Sequence, residues 1–258
     1  MSLPAPVTLP GLVAARLLDA PLAALAWLLV DRGVPALVAG REPGPRDALV
    51  EALVAALPPH RRPGGAAPGH PNGGPGVGTE SLVRVAATLG PGSPPGLLRA
   101  ALGATTGRSG LVATVEAGDL AGVLAALARE GLGDDEASFL GVVLVAEARP
   151  EVAGAARIVV AHYLRPLLRD AGGHERRQRP AVLAAWIPGD DRWEDFSWGI
   201  APDLAQRGRM RAGDFEAERM RRAEAIDGLV ARGRLDPGAL GAAARRLPLD
   251  PPVTRGPA

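Results

Sequence analysis

The stretch VPALVAGREPGPRDALVEALVAALPP, residues 34–59, decides the fold. It begins with a short apolar run, 36–39, that meets a glycine at Gly40. A turn rich in glycine and proline follows. Apolar residues then recur at helical spacing, at Leu49, Val50, Leu53, Val54 and Leu57. The pattern predicts a buried strand, a loop and a helix in direct succession.

The same order occurs in the phosphate-binding P-loop, G-x-x-x-x-G-K-[ST], whose backbone N–H groups and helix N-terminus hold an anion. When the motif is laid from Gly40, with Gly44 inside the turn, its second glycine falls on Pro45. Its lysine falls on Arg46 and its hydroxyl residue on Asp47. Proline has no N–H, a guanidinium replaces a compact ammonium, and a carboxylate repels phosphate. The stretch is therefore either a degenerate P-loop or an ordinary turn between a strand and a helix.

Composition limits the classes of function. The chain has 258 residues, enough for one large α/β domain, and its formal net charge of +1 provides no global field for nucleic acid or an acidic membrane. It has no cysteine, which excludes disulfides and thiolate metal sites. The longest apolar stretch, 22–30, is too short to span a bilayer, and the N-terminus shows no secretory signal pattern. We therefore expect a soluble, cytoplasmic protein without direct membrane insertion and without a nucleic-acid partner.

Predicted strands and helices alternate along the chain. The strands cover 34–39, 82–89, 110–115, 142–146, 157–164 and 181–187. The helices cover 19–32, a segment that ends near residue 58, 94–102, 119–130, 134–140, 201–207, 214–232 and 236–246. This order predicts an α/β fold with a mostly parallel sheet flanked by helices and with a helical C-terminal part. The last two strands could pair as a hairpin or an edge ribbon.

Four segments, in this order, resemble the C-terminal ATPase domain of the motor superfamily of type II secretion, type IV pili and the archaellum, most of all its archaeal-type branch. They are VTLPGLVAARLLDAPLAALAWLLVDRGVPALVAG at 7–40, LLRAAL at 97–102, TGRSGLVATVEA at 106–117 and WIPGDDRWEDFSW at 186–198. The third is similar to the family's histidine box, TGHxGxxxTxHA. Its candidate site residues here are Thr106, Gly107, Arg108, Gly110, Thr114 and Glu116.

The resemblance implies a RecA-like P-loop NTPase fold. A degenerate ATPase domain would cover 1–187, with a flexible loop at about 59–79, and a helical C-terminal extension, 188–258, would pack on it. Only residues 103–105 separate LLRAAL from the box, where the family has its Walker B strand and catalytic glutamate. We therefore expect the sheet to lack a parallel strand that ends in a carboxylate beside 36–39.

Phosphoryl transfer is catalysed almost entirely by positioning and charge stabilisation, so the combined losses predict a pseudoenzyme with no catalytic residue, no metal site and no cofactor. The first hypothesis is a structural or regulatory partner of a secretion or pilus assembly apparatus. It would bind an active paralogous motor or a membrane subunit of that apparatus, and an oligomer is compatible with it. Any remaining nucleotide contacts would come from Gly40, Gly44, Arg46 and Asp47.

Two alternatives stay open. A weakly active ATPase would bind ATP and Mg²⁺, with Arg46 in place of the lysine and with Glu80 or Glu116 orienting the attacking water. A decayed paralogue would have no partner at all. Three charged groups of residues are interpreted as solvated surface rather than as sites. They are the acidic run Asp190, Asp191, Glu194 and Asp195, the basic group Arg176, Arg177 and Arg179, and the helix arginines Arg221, Arg222, Arg245 and Arg246.

Overall fold

A seven-stranded sheet forms the centre of the computed structural model, which describes residues 7–62, 84–85, 110–149, 152, 155–170 and 172–246. Its strands are β1 (Ala36–Gly40), β2 (Arg84–Val85), β3 (Leu111–Glu116), β4 (Val142–Ala148), β5 (Ala156–Tyr163), β8 (Ala181–Ile187) and β9 (Arg192–Asp195). A separate two-stranded ribbon consists of β6 (Leu168–Arg169) and β7 (Glu175–Arg176). The strand order in the large sheet is β2-β3-β1-β4-β5-β8-β9.

Eight α-helices lie within the described residues. They are α1 (Leu9–Ala14), α2 (Ala20–Asp31), α3 (Pro43–Ala55), α4 (Leu120–Arg129), α5 (Asp134–Ala137), α6 (Ala201–Arg207), α7 (Ala212–Ala231) and α8 (Pro237–Arg246). Short 3₁₀ turns occur at Pro59–Arg61 and Ser197–Ile200. Among the helices of the described residues, none combines the length and the apolar character needed to cross a membrane.

The helix boundaries follow signals that the sequence carries. Asp19 caps α2 by accepting a hydrogen bond from the Leu22 N–H at 2.9 Å, and the chain leaves the helix through Gly33 with a φ of +80°. Asp119 caps α4 in the same way, through the Gly122 N–H at 2.7 Å. The predictions of α2, α4 to α8, β1, β3, β4, β5 and β8 are confirmed within a few residues at each end.

The predicted predominance of parallel strands is wrong. Strands β2, β3, β1 and β4 are parallel, whereas the β4–β5, β5–β8 and β8–β9 pairs are antiparallel, so the sheet is mixed. The physical reason is the length of the connections. Only residues 149–155 separate β4 from β5, and only 188–191 separate β8 from β9. Connections this short allow a hairpin, but not the crossover that parallel neighbours require.

The sheet also continues beyond the predicted domain boundary. Strand β9 pairs with β8 and forms one edge of the sheet. A division after residue 187 therefore falls inside a hairpin, and the segment 188–258 contains a strand of the main sheet in addition to its helices.

The expectation that the sheet lacks a parallel strand ending in a carboxylate beside β1 is contradicted by β3. This strand is parallel to β1, lies beside it and ends in the carboxylate of Glu116, which pairs in register with Gly40. Strand β2 continues the sheet on the other side of β3. Most of the predicted loop at 59–79, the remainder of the strand at 82–89 and the helix at 94–102 lie outside the described residues.

Two apolar cores cover the two faces of the sheet. In β1, Leu37 and Ala39 belong to the core that α4 closes, and Ala36 and Val38 belong to the core that α2, α3 and α7 close. All five residues of this strand are buried. Burial on both faces explains why β1 has a continuous apolar sequence instead of an alternating one.

Helix α2 is buried on nearly all sides, because ten of its twelve residues are buried. Residues of β1, β4 and β5 share its core, and α7 packs along it with Phe215, Ile226 and Leu229. Thr8, at the start of α1, also donates from its hydroxyl to the carbonyl oxygen of Leu235 at 2.6 Å. The C-terminal helices are therefore a layer of the core.

A largely buried ion network joins α7 to α2. The Arg222 Nε donates to Glu218 Oε1 at 2.9 Å, and its Nη2 donates to Asp31 Oδ2 at 2.7 Å. The guanidinium lies 4.4 Å from the centre of the Trp27 ring, and Arg61 pairs with the second oxygen of Asp31 at 3.0 Å. Arg222 is only 5% exposed, so its interpretation as a solvated arginine is wrong. The sequence around Arg222 does not indicate the two carboxylates that its guanidinium contacts.

We expect Arg222→Leu to lower the free energy of unfolding by about 3 kcal/mol, because Glu218 and Asp31 would each lose a buried partner. Arg221→Leu is the matched control. That arginine also pairs with Glu218, but its side chain is 43% exposed, so the loss should stay below about 1 kcal/mol. Urea unfolding followed by tryptophan fluorescence measures both changes. Equal losses in the two variants would contradict the structural role assigned to Arg222.

Candidate functional site

The carboxyl ends of the parallel strands form the candidate site. Gly40 at the end of β1 lies in register with Glu116 of β3 on one side and with Ala146 of β4 on the other. The chain leaves β1 into α3, which packs on one face of the sheet, and leaves β3 into α4, which packs on the other face. In open α/β sheets such a divergence of connections produces the crevice where ligands bind.

The connection between β1 and α3 is shorter than the sequence predicts. Helix α3 begins at Pro43, so only Arg41 and Glu42 link it to the strand. Gly44 and Pro45, predicted to lie in a turn, are therefore in the first helical turn. Proline at the first helical position fits this start, because its missing N–H has no helical partner there. Two linking residues give less backbone to surround a phosphate than the four between the glycines of a P-loop.

The start of α3 is poor in hydrogen-bond donors. At the N-cap and the first three helical positions, where N–H groups have no helical partner, Pro43 and Pro45 contribute none, which leaves the N–H groups of Glu42 and Gly44. The Glu42 side chain makes no cap hydrogen bond and adds a negative charge. This helix N-terminus is therefore a weak anion site by its own backbone chemistry.

Arg46 occupies the space above the end of β1. Its side chain is directed inward, is 3% exposed, and donates from Nη1 to the Gly40 carbonyl oxygen at 2.9 Å. The Nε of Arg46 is buried and has no hydrogen-bond partner among the described residues. A Cβ on Gly40 would lie 3.2 Å from Arg46 Cγ and 3.0 Å from the Ala146 carbonyl oxygen. The close approach of these three residues explains why position 40 is a glycine.

The edge formed by the ends of β3, β1 and β4 carries charges of both signs. A Cβ on Gly118 would lie 3.0 Å from Arg41 Nε, which places the exposed Arg41 side chain over the turn after β3. Glu116 and Glu147, at the ends of β3 and β4, are both exposed. Within the part of the chain that the structure describes, no group of three or more histidine, aspartate or glutamate residues could hold a metal ion.

The structure brings only some of the candidate residues together. Gly40, Arg46 and Glu116 are neighbours at the strand ends, whereas Gly44 and Asp47 are exposed on α3 without a described role. In the degenerate histidine box, Gly110 directly precedes β3 and Thr114 is buried within it. The remaining box residues Thr106, Gly107 and Arg108, and also Glu80, lie outside the described residues.

Sequence reasoning missed Arg41 and Ala146, which also form this edge. Arg41 could have been identified, because it is the first residue after a buried strand, where functional side chains often lie. Ala146 contributes through its carbonyl oxygen, and a backbone group leaves no signal in the sequence.

The acidic run near the C-terminal third divides into two environments. Asp190 and Asp191 are exposed at the turn between β8 and β9, where Asp191 pairs with Arg16 at 2.9 Å, which agrees with a solvated turn. Asp195 does not agree with that interpretation. It accepts hydrogen bonds from the Ser197 hydroxyl at 2.6 Å and from Arg219 Nη1 at 2.8 Å, so it ties β9 to α7.

The surroundings of Asp195 shift two carboxyl groups in opposite directions. Burial disfavours the Asp195 carboxylate, but the hydrogen bonds from Ser197 and the charge of Arg219 outweigh it and lower the pKa of Asp195. Burial raises the pKa of Asp19, and the negative charges of Asp195 and Asp227 act in the same direction. Asp195 therefore stabilises the fold as a carboxylate, whereas burial in the fold disfavours the ionised form of Asp19 relative to the unfolded chain.

Neither a scan against protein-family models nor a search of curated proteins finds a match to this chain. The resemblance to secretion and pilus motors is therefore supported by the residues of the four segments and by neither of these two comparisons.

We expect Asp195→Asn to reduce stability at neutral pH, and the difference from the unchanged protein to shrink on acidification. The folded-state pKa of Asp195 is lowered, so its contribution is complete above the unfolded pKa of about 3.9 and is lost as pH falls through the folded pKa. Urea unfolding between about pH 2 and pH 7 measures this dependence. Asp47→Asn, on the exposed face of α3, is the control and should be nearly neutral. A difference independent of pH would contradict the assignment.

We expect Gly40→Ala to destabilise the protein by about 1–3 kcal/mol, because the new methyl group would press on the Ala146 carbonyl oxygen and on Arg46. Gly44→Ala is the matched control. Its Cβ would meet nothing within 4 Å, and alanine is favoured over glycine in a helix, so stability should stay the same or rise by up to about 1 kcal/mol. Chemical denaturation compares the two. A neutral Gly40→Ala would disprove the tight packing above β1.

Proposed function

We propose that this chain is a catalytically degenerate, RecA-like ATPase domain that acts as a structural or regulatory partner of a type II or type IV secretion or pilus assembly apparatus. On this proposal it is cytoplasmic, binds no nucleotide with useful affinity, and contacts an active motor ATPase or a membrane subunit of the apparatus. The fold supports the proposal in its coarser features, because a strand, a short turn and a helix lie in the parallel half of an α/β sheet.

The observation that carries the proposal is the inward position of Arg46. In a working P-loop the cation at this place points at the β- and γ-phosphates of the nucleotide. Here the Arg46 guanidinium donates to the Gly40 carbonyl oxygen and is almost fully buried. The guanidinium of Arg46 thus satisfies the carbonyl oxygen of Gly40 at the end of β1. To reach a phosphate, Arg46 would have to break that hydrogen bond and leave its packed position.

The completeness of the core favours a functional partner over a decayed paralogue. In the network of Asp31, Glu218 and Arg222, the last two side chains are buried and Asp31 is partly buried, and each charge has a described counter-charge. Unpaired buried charges are strongly destabilising, so such a network is easily lost when stability is no longer needed. A chain without any role would have no requirement to keep it.

One observation favours the alternative, a weakly active ATPase of the same superfamily. The carboxylate of Glu116 lies at the end of β3, directly beside Gly40 in the sheet, which is a suitable place for a group that orients an attacking water. In that case ATP and Mg²⁺ would bind at the carboxyl edge, and Arg46 would have to turn outward to replace the missing lysine.

We expect calorimetry with Mg-ATP to show no saturable binding and a phosphate-release assay to show only background turnover. We also expect the combined change Pro45→Gly, Arg46→Lys and Asp47→Thr to restore no binding. The two-residue connection before α3 would still lack the backbone that surrounds a phosphate. Micromolar Mg-ATP affinity with steady turnover, abolished by Glu116→Gln, would establish the alternative instead.

The partner role has its own test. The purified chain is mixed with an intact motor ATPase of the family, and complex formation is followed by size-exclusion chromatography with light scattering. A stable complex, or a change in the motor's hydrolysis rate, is expected. If the chain binds neither the motor nor a membrane subunit of the apparatus, the partner role is wrong even if nucleotide binding is absent.

A further inference from the structure

The connection between β5 and β8 forms a charged arm, residues 165–179, which we call the basic ribbon. Its sequence carries five arginines and two acidic residues, a formal charge of +3, whereas the whole chain carries +1. The rest of the chain is therefore formally negative. Every described residue between 168 and 177 is exposed, so the ribbon projects from the body of the protein. A positive charge concentrated on one projecting element orients the molecule, so that this element faces an anionic surface.

The arginines of the ribbon have different surroundings. Arg165 is paired with Asp203 at 2.8 Å, and Arg169 is paired with Glu175 across the ribbon. The other three arginines belong to or follow β7, in a stretch of sequence that has no acidic residue from position 176 to the end of β8. They are Arg176, Arg177 and Arg179, all exposed.

Two large apolar side chains accompany these arginines. Leu168 is the cross-strand partner of Arg176, so the two lie on the same face of the ribbon, and Leu168 is 55% exposed. Phe139 is 61% exposed and follows Ser138, which shares a shallow recess with Arg177 at the base of the ribbon. Phe139 and Leu168 are among the most exposed large apolar residues of the described chain.

This surface is distant from the candidate site. The base of the ribbon follows the end of the antiparallel strand β5 and adjoins the start of β4, so it lies at the amino edge of the parallel strands. The candidate site lies at their carboxyl edge. An interaction through the ribbon would leave the carboxyl edge accessible.

We propose that the basic ribbon, together with Phe139, is a docking surface for a membrane that contains anionic phospholipids. Arginines near such a surface are attracted by the headgroup charge, and exposed aromatic and aliphatic side chains gain by entering the boundary between headgroups and acyl chains. A nucleic-acid backbone would use the arginines but would offer no comparable partner for Leu168 and Phe139. The inference does not depend on the proposed function.

The test measures cosedimentation of the purified chain with lipid vesicles. Binding is expected to vesicles of phosphatidylcholine mixed with phosphatidylserine and not to vesicles of phosphatidylcholine alone. It should disappear at about 1 M salt, where the Debye length is about 3 Å. Arg176→Gln, Arg177→Gln and Arg179→Gln together should weaken binding roughly a hundredfold, at about fivefold for each arginine.

A matched control removes three exposed arginines from α8 and from the segment between α7 and α8: Arg232, Arg234 and Arg245, each changed to Gln. It alters the net charge equally and should weaken binding less than about threefold if position matters. Phe139→Ser with Leu168→Ser should also weaken binding, whereas Met220→Ser, a change at an exposed residue of α7, should not. Urea midpoints should remain unchanged in all of these surface variants.

Three results would overturn the proposal. The first is the absence of vesicle binding by the unchanged protein. The second is an equal loss of binding in the ribbon variant and in the control with the same charge, which would indicate nonspecific attraction. The third is binding of a fluorescent DNA duplex that depends on the ribbon arginines while vesicles are not bound. That outcome would replace the lipid surface by a nucleic acid.

Discussion

The burial of α2 is the constraint on which the rest of the structure depends. A helix with ten buried residues out of twelve has no face for water, so it must be covered on all sides. The sheet alone cannot do this. Helix α7 completes the cover, and Arg222 joins it to Asp31 at the end of α2 through a partly buried ion pair. The C-terminal helices are therefore as much a part of the core as the strands, and the ion pair fixes the position of one layer against the other.

The carboxyl edge of the sheet follows from the same packing. Because α3 starts two residues after β1 and lies against β1 and β3, the first polar side chain that points back along the strand is Arg46. It finds the Gly40 carbonyl oxygen, and its stem fills the space that the absence of a Cβ at Gly40 leaves open. An edge where α/β proteins commonly bind a ligand is thus partly filled by the protein itself, with Arg41, Glu116 and Glu147 at its margin.

Local structure could be predicted from the sequence, and tertiary features could not. Apolar spacing and the capping residues Asp19 and Asp119 give most helices and strands. The antiparallel pairing of β5 with β8 was one of the predicted alternatives, whereas the antiparallel direction of β5 against β4 was not, because it depends on the short connection 149–155. Pro43 was assigned to a turn although it fits a helix start equally well. The burial of Arg222 could not be foreseen, because one of its partners, Asp31, is 191 residues away in the chain. For the candidate site, the position of Glu116 beside Gly40 required the strand order.

The distance in sequence between α2 and α7 has a consequence for synthesis. Helix α2 is made early, but the helix that covers it follows only after Asp31 and Arg222 are separated by 191 residues of new chain. At a synthesis rate of roughly 5–20 residues per second, about 10–40 s pass between the synthesis of α2 and the synthesis of the part of α7 that covers it. During that time α2 exposes apolar surface that can associate with other nascent chains. Early shielding by a chaperone should therefore decide how much of the protein reaches its folded state in a cell.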